Sequence, residues 1–266
     1  MASAKVNLYD HEYGHFALYR DVRIETYGQD FGQTSWVTNE ESNEIPQLLR
    51  FTPASSVLEI GSGSGGYALH LAERFGCRIT ALDVNPEGIR NANALAEQRK
   101  LRELCRFQQS DASKPLPFGE AEFDAVFSND VLCHIPGRAG LLREIARVLK
   151  PGGGLLFSDA LVIGGMVSHE EIAIRSSIGY YFFSPPGENE KLIRDAGLRL
   201  IFARDTTEAA ALISQRRHDA REKRKSALVG IEGEANFAGL QRFLECVHSL
   251  TSERRLLRFL YLAEKP

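Results

Sequence analysis

Short apolar runs alternate with longer segments of helical periodicity through the middle of this chain. The runs predict strands at 56–60, 78–83, 105–109, 123–128 and 154–158. Between them, apolar residues recur three or four positions apart, which predicts helices at 66–75, 86–100 and 138–149. Strands that alternate with helices form a parallel sheet covered on both faces. The pattern therefore predicts an α/β fold for this part of the chain.

The pattern changes on both sides of this region. The first fifty residues are rich in Tyr, His, Asp and Glu and show only weak helical periodicity. They predict an N-terminal lid made of helices and a loop with aromatic residues. After residue 159, a helix at 188–196 and strands at 199–204 and 255–262 return to the sheet. Between these two strands, the pattern predicts a charged helix from 207 to about 229 and a second helix near 236–249. The predicted division is a lid at 1–50 and a sheet domain at 51–266, with cap insertions at about 160–184 and 205–252.

A glycine-rich turn follows the first predicted strand, in the stretch VLEIGSGSGG at 57–66. Glycine permits positive φ and lets a ligand approach the main chain, and a strand–turn–helix unit points a helix N-terminus at that ligand. Gly61, Gly63 and Gly66 match the G-x-G-x-x-G pattern, which NAD-binding folds also show. Asp83 ends the next strand and could accept hydrogen bonds from the ribose of NAD or of another nucleoside cofactor. These residues alone therefore do not identify the cofactor.

Composition and charge exclude several classes of function. With 43% hydrophobic residues, 25% charged residues and a net charge of −3, the chain has no general attraction for nucleic acid or anionic membranes. The basic run at 216–225 contains interleaved acids, and we interpret it as a solvated helix face. Four widely spaced cysteines predict neither a metal site nor a disulfide framework. Without a secretory signal or a membrane-spanning run, the chain is expected to be cytoplasmic; whether it forms a homo-oligomer stays open.

Three further features favour S-adenosylmethionine (SAM) as the cofactor. Glu59 lies two residues before the first glycine, Asp111 and Ala112 follow the third strand, and VLKPGGGLL at 148–156 turns into the fifth. The series VLEIGSGSGG, ALDVNPEGI, SDASKPLPFGEAEFDAVFSNDVLCHI and ARVLKPGGGLLFSD resembles the class I SAM-dependent methyltransferases in order and spacing. It is most similar to the small-molecule branch, which includes the sarcosine, phosphobase, sterol and quinone methyltransferases. The resemblance covers about residues 55–160.

The resemblance implies a seven-stranded, mostly parallel Rossmann-like sheet with helices on both faces, and SAM as the cofactor. It also implies a set of cofactor contacts on the loops after the strands and on the lid. These are Tyr27 and Trp36 closing over SAM, Glu59, Gly61 and Gly63 around its methionine part, Asp83 and Val84 at the ribose and adenine, Asp111 and Ala112 at the adenine edge, and Asn129 beside the cofactor.

Methyl transfer from a sulfonium needs alignment more than acid or base help, but an acceptor that carries a proton must lose it. His134 follows the fourth strand at the ligand-binding edge and is the candidate base, as a histidine is in some relatives; it could equally orient its loop or contact the cofactor. The small-molecule acceptor is expected to contact residues of the cap and of the fifth strand's end: Tyr180, Tyr181, Phe182 and Asp159.

Two other functions remain in view at this stage. A protein of this fold could bind SAM and catalyse a reaction without methyl transfer, such as a cyclisation. An NAD-dependent oxidoreductase, which would need a catalytic Tyr-x-x-x-Lys or similar arrangement, is the less favoured alternative. Formation of S-adenosylhomocysteine would separate a methyltransferase from the first alternative.

Overall fold

Seven strands form one sheet in the computed structural model, which describes residues 6–266; the first five residues of the predicted lid lie outside the described part. The sheet has the order β3-β2-β1-β4-β5-β7-β6, with β1 to β5 parallel and β7 antiparallel to both neighbours. This confirms the predicted fold class. The strands are β1 (Ser56–Ile60), β2 (Arg78–Asp83), β3 (Cys105–Gln109), β4 (Phe123–Ser128), β5 (Leu149–Ile163), β6 (Arg199–Asp205) and β7 (Leu256–Glu264).

Helices cover both faces of the sheet and build the segments around it. One apolar core joins the sheet to α3, α4 and α5, and a second joins it to α6 and α8. A third contains side chains from the lid, α9 and α11. The helices are α1 (Tyr9–Gly14), α2 (Arg20–Tyr27), α3 (Asn39–Leu48), α4 (Gly66–Phe75), α5 (Pro86–Gln98), α6 (Arg138–Val148), α7 (His169–Arg175), α8 (Glu188–Asp195), α9 (Thr207–Glu222), α10 (Lys225–Glu232) and α11 (Glu234–Ser252).

Two predicted elements differ from the structure in their extent. The fifth strand is longer than 154–158 at both ends, so part of the expected first cap insertion belongs to the sheet. The single helix expected from 207 to about 229 is two helices, α9 and α10. Lys223 and Arg224 lie at this break and pair with Glu25 of α2. No glycine or proline marks the break, so the sequence gives no local signal for it.

The basic run is not wholly a solvated helix face, and that interpretation was wrong for two of its arginines. Arg217 pairs with Glu12 of α1, and Arg221 pairs with Glu232 of α10; all four side chains are buried. Buried charges need such partners because leaving water is costly. The run therefore docks the lid onto α9.

None of the helices within residues 6–266 has the length and apolar character needed to cross a bilayer.

Candidate active site

A cavity of about 520 Å³ opens at the carboxyl ends of the parallel strands, between the sheet, the lid and the cap. Open α/β sheets bind ligands at this edge. The cavity lining contains every residue expected to contact the cofactor and three of those expected to handle the acceptor. They are Tyr27, Trp36, Glu59, Gly61, Gly63, Asp83, Val84, Asp111, Ala112, Asn129, His134, Tyr180 and Tyr181.

The glycine turn after β1 has a backbone that other residues would not adopt easily. Gly61 has φ of +81°, and a Cβ there would collide with the side chain of Val131. The N–H of Gly63 donates to Oδ2 of Asp83 at 2.7 Å, which ties the turn to the end of β2. Ser62 carries a buried hydroxyl without a hydrogen-bond partner among residues 6–266. The turn at residues 61–63, called the glycine cradle below, therefore has a fixed backbone and one hydroxyl that is free to bind a ligand.

Two carboxyl groups lie beside this cradle. The second oxygen of Asp83 accepts the N–H of Asn85 at 2.8 Å, and burial raises the pKa of Asp83 against the effect of these backbone N–H groups. Glu59 is buried in β1, and burial together with the nearby Asp83 raises its pKa to about 8. Oε2 of Glu59 has no partner in the described chain. A cationic ligand group next to Glu59 would supply that missing partner.

His134 lies in a single turn of 3-10 helix after β4, with both ring nitrogens engaged. Nδ1 is 3.1 Å from the carbonyl oxygen of Tyr180, and Nε2 is 3.3 Å from the hydroxyl of Tyr9. A carbonyl oxygen can only accept, so Nδ1 carries the hydrogen and Nε2 accepts from Tyr9. Burial, and secondly the charge of Arg175, lowers the pKa of His134 to about 4. The imidazole is therefore neutral at physiological pH.

Asp130 is a cavity residue that sequence reasoning missed in favour of its neighbour Asn129. Its φ is +57°, and its carboxylate accepts the N–H of Trp36 and two contacts from Nε of Arg258, at 2.9 and 3.2 Å. Nη1 of Arg258 reaches Glu41 at the start of α3. Arg258 thus links the loop after β4 to α3, and Asp130 itself holds the backbone of Trp36.

Other cavity residues were also missed. Tyr9 and Tyr13 are four residues apart on α1, and this spacing on a helix was the only available signal. Arg217 donates to the carbonyl oxygen of Thr34 from the far side of the lid. Phe243 completes the wall beside Trp36, with ring centroids 6.3 Å apart. The N-terminal lid and the C-terminal helices therefore supply much of the wall.

Residues 58–157, which contain the cradle, Asp83, Asp130 and His134, match the family model described as a methyltransferase domain. This segment is a methyltransferase domain. Its sheet order and glycine cradle place it in class I, whose cofactor is SAM, as the sequence resemblance predicted.

Proteins with more than one activity are similar to this chain. The chain is 26% identical over 229 residues to the glycine/sarcosine/dimethylglycine N-methyltransferase of Actinopolyspora halophila, covering 86% of this chain and 40% of that protein. It therefore spans less than half of that relative. Its fold is similar to phosphoethanolamine N-methyltransferase 2 of Haemonchus contortus, with TM-score 0.80, 22% identity and coverage of 96% and 60%. It is similar also to the [4+2]-cyclase SpnF, with TM-score 0.72, 20% identity and 99% of both chains covered.

The described residues of the methyltransferase domain fit SAM. The glycine cradle leaves room for the methionine part, and three buried polar atoms beside it lack partners within residues 6–266: Glu59 Oε2, Ser62 Oγ and Asn129 Oδ1. Each oxygen of Asp83 uses one lone pair on a backbone N–H and keeps capacity for a ribose hydroxyl. Val84 and Asp111 are exposed at the mouth, where an adenine edge would meet solvent.

Two expected acceptor contacts do not line the cavity, and these predictions are corrected. Asp159 lies within β5, fully buried, and accepts from Arg138 at 2.6 Å and from Asn189 at 2.9 Å. It ties α6 and α8 to the sheet. Phe182 lies under the guanidinium of Arg138, whose carbon is 5.0 Å from the ring centroid. Both residues therefore pack the cap from behind the cavity wall.

Proposed function

We propose that this chain transfers a methyl group from SAM to a small-molecule acceptor, with Tyr9 and His134 taking up the acceptor's proton. The observation that carries the proposal is the contact between the Tyr9 hydroxyl and Nε2 of His134 in the wall of the cavity that also contains the SAM cradle. Tyr9 comes from the lid, so closing the lid completes the site.

Each residue has a role that its contacts support. SAM, when bound, supplies an electrophilic methyl group whose transfer removes the positive charge on sulfur. Gly61, Gly63 and Asp83 would hold the cofactor, with Glu59 next to its amino group. Tyr9 would accept a hydrogen bond from the acceptor's N–H or O–H while donating to His134. Burial keeps Tyr9 a neutral phenol by raising its pKa.

The acceptor compartment would lie between the lid and the cap, next to His134. Tyr180, Tyr181, Trp36 and Phe243 supply its aromatic lining. These rings suit an acceptor with an apolar part, and the relatives' names favour an amine nitrogen as the methylated atom. An oxygen or carbon atom of a natural product is compatible with the same lining. The chain's likeness to a cyclase is a likeness of fold, so a reaction without methyl transfer is the second candidate.

Production of S-adenosylhomocysteine separates these candidates. We expect it to form when the purified protein is given SAM and an acceptor panel of small amines bearing carboxylate or phosphate groups, phenols and terpenoid alcohols. Liquid chromatography would quantify the product, and His134→Asn would serve as the matched control. Formation that is equal with and without any acceptor, or absent throughout, would contradict methyl transfer.

Glu59→Gln is expected to remove a pH dependence of SAM binding. At pH 7 the buried carboxyl, with its pKa near 8, is largely protonated, and a bound ammonium group favours its ionised form. Wild-type SAM affinity should therefore rise several-fold between pH 6 and pH 7.5, where the amino group of SAM is still largely protonated, and that of the Gln variant should change much less. Calorimetry at several pH values measures this.

Glu59→Gln is also expected to change how the stability of the protein depends on pH. The unfolded carboxyl ionises near pH 4.5 and the folded one near pH 8, so wild-type stability falls as the pH rises between these values. The Gln variant should thus be more stable than wild type at pH 9, by about 1–3 kcal/mol. A Gln variant whose SAM affinity keeps the wild-type pH dependence would show that Glu59 does not face the cofactor.

A further inference from the structure

Arg175 is a buried cation that the proposed reaction does not use. It is the last residue of α7 and is 1% exposed. Its Nη1 has no hydrogen-bond partner in the part of the chain that the structure describes, and no carboxylate forms an ion pair with it there. Three rings of the cavity wall face the guanidinium carbon instead: Tyr181 at 4.7 Å, Phe243 at 5.0 Å and Trp36 at 5.7 Å from their centroids.

Tyr181 lies between this cation and the imidazole of His134. The ring centroids of His134 and Tyr181 are 4.3 Å apart, with an angle of 41° between their planes. Because both distances are measured to the same ring, the guanidinium lies within about 9 Å of the imidazole. Little water separates them, so the charge is screened much less than at the surface.

We propose that Arg175 is a positioning residue that acts on His134 across the ring of Tyr181, opposing protonation of the resting imidazole so that its Nε2 remains an acceptor for Tyr9 as the pH falls. The inference rests on the proposed function, in which Nε2 must be unprotonated before the pair takes up the acceptor's proton; the same charge makes His134 a weaker base. A protonated imidazole would donate from Nε2 and could not accept from the Tyr9 hydroxyl. A nearby cation opposes that protonation.

The other groups around His134 do not supply the same effect. The Tyr180 carbonyl, Asp130 and Asp159 all raise the pKa of His134. Asp130 is paired with Arg258 and Asp159 with Arg138, which limits their pull. The nearby hydroxyls of Tyr9 and Tyr181 and the thiol of Cys133 are neutral, since burial raises the pKa of each. Burial and the charge of Arg175 are therefore the two influences that lower the pKa of His134.

The test is an NMR titration of the histidine rings in the unliganded protein, with His134→Asn used to assign the signal of His134. In wild type we expect His134 to stay neutral down to about pH 5. In Arg175→Gln its titration midpoint should rise by about one pH unit or more, whereas Arg175→Lys should keep it near the wild-type value. Arg143→Gln removes the same charge from an exposed position of α6 and should leave the midpoint unchanged.

An unchanged midpoint in a folded Arg175→Gln would overturn the proposal, as would an equal rise in Arg175→Lys. If Arg175→Gln does not fold, Arg175→Met replaces it, since it removes the charge and keeps much of the side-chain volume. A wild-type midpoint near the ordinary histidine value of about 6.5 would also overturn the proposal. These readouts need neither SAM nor an acceptor. A rise in Arg175→Gln without any methyl transfer would therefore leave this inference standing and remove the proposed function.

Discussion

His134→Asn is expected to lower kcat by about a hundredfold or more while leaving SAM affinity nearly unchanged. The asparagine side chain cannot both donate to the Tyr180 carbonyl and accept from the Tyr9 hydroxyl in the wild-type geometry, so the acceptor's proton loses its path. Steady-state formation of S-adenosylhomocysteine gives kcat, and calorimetry gives the SAM affinity.

Tyr9→Phe is the matched variant for this prediction. Because Tyr9 and His134 act as one unit, the double variant should be little slower than either single variant. An acceptor with no proton to lose, such as a tertiary amine, should be methylated at nearly the wild-type rate by all three. A parallel fall of SAM affinity and turnover in His134→Asn would make His134 a cofactor contact rather than a base.

Asp83→Ala is expected to lose about 2–4 kcal/mol of SAM affinity, which corresponds to roughly thirtyfold to a thousandfold. The carboxylate would accept from both ribose hydroxyls, and it already holds the N–H groups of Gly63 and Asn85. The variant therefore loses direct ligand contacts and some order in the glycine turn. Calorimetric titration with SAM measures the loss, and the melting temperature shows how much of it comes from the turn.

Asp111→Ala serves as the matched control for Asp83. Asp111 is exposed at the cavity mouth and accepts the N–H of Ser113 at 2.9 Å, so its removal should cost less than about 1 kcal/mol of SAM affinity. Asp83→Asn keeps the shape without the charge and should lie between wild type and Asp83→Ala. Equal SAM affinity in wild type and a folded Asp83→Ala would contradict the assignment of the ribose site.

The cofactor half of the site could be placed from the sequence because its residues are fixed by local patterns. Gly61 follows one strand that an apolar run identifies and Asp83 ends another, and parallel strands bring their carboxyl ends to one edge. The cavity lining agrees with that placement. The roles of these residues remain predictions until binding is measured.

The acceptor half could not be placed as well, because long-range contacts build it. Tyr9 and His134 are 125 residues apart, and Asp130 and Arg258 are 128 residues apart. Asp159 was misplaced because a carboxylate normally marks the end of a strand, whereas Arg138 and Asn189 let β5 continue past it into the protein. No periodicity in a single sequence shows which distant charge will meet such a group.

The most direct test of the proposed SAM site is whether the cavity holds one SAM molecule per chain. Native mass spectrometry of the purified protein with added SAM is the measurement. We expect one SAM adduct in wild type, retention of that adduct in His134→Asn, and its loss in Asp83→Ala at the same SAM concentration. No adduct in wild type, or equal occupancy in wild type and Asp83→Ala, would contradict the proposed site.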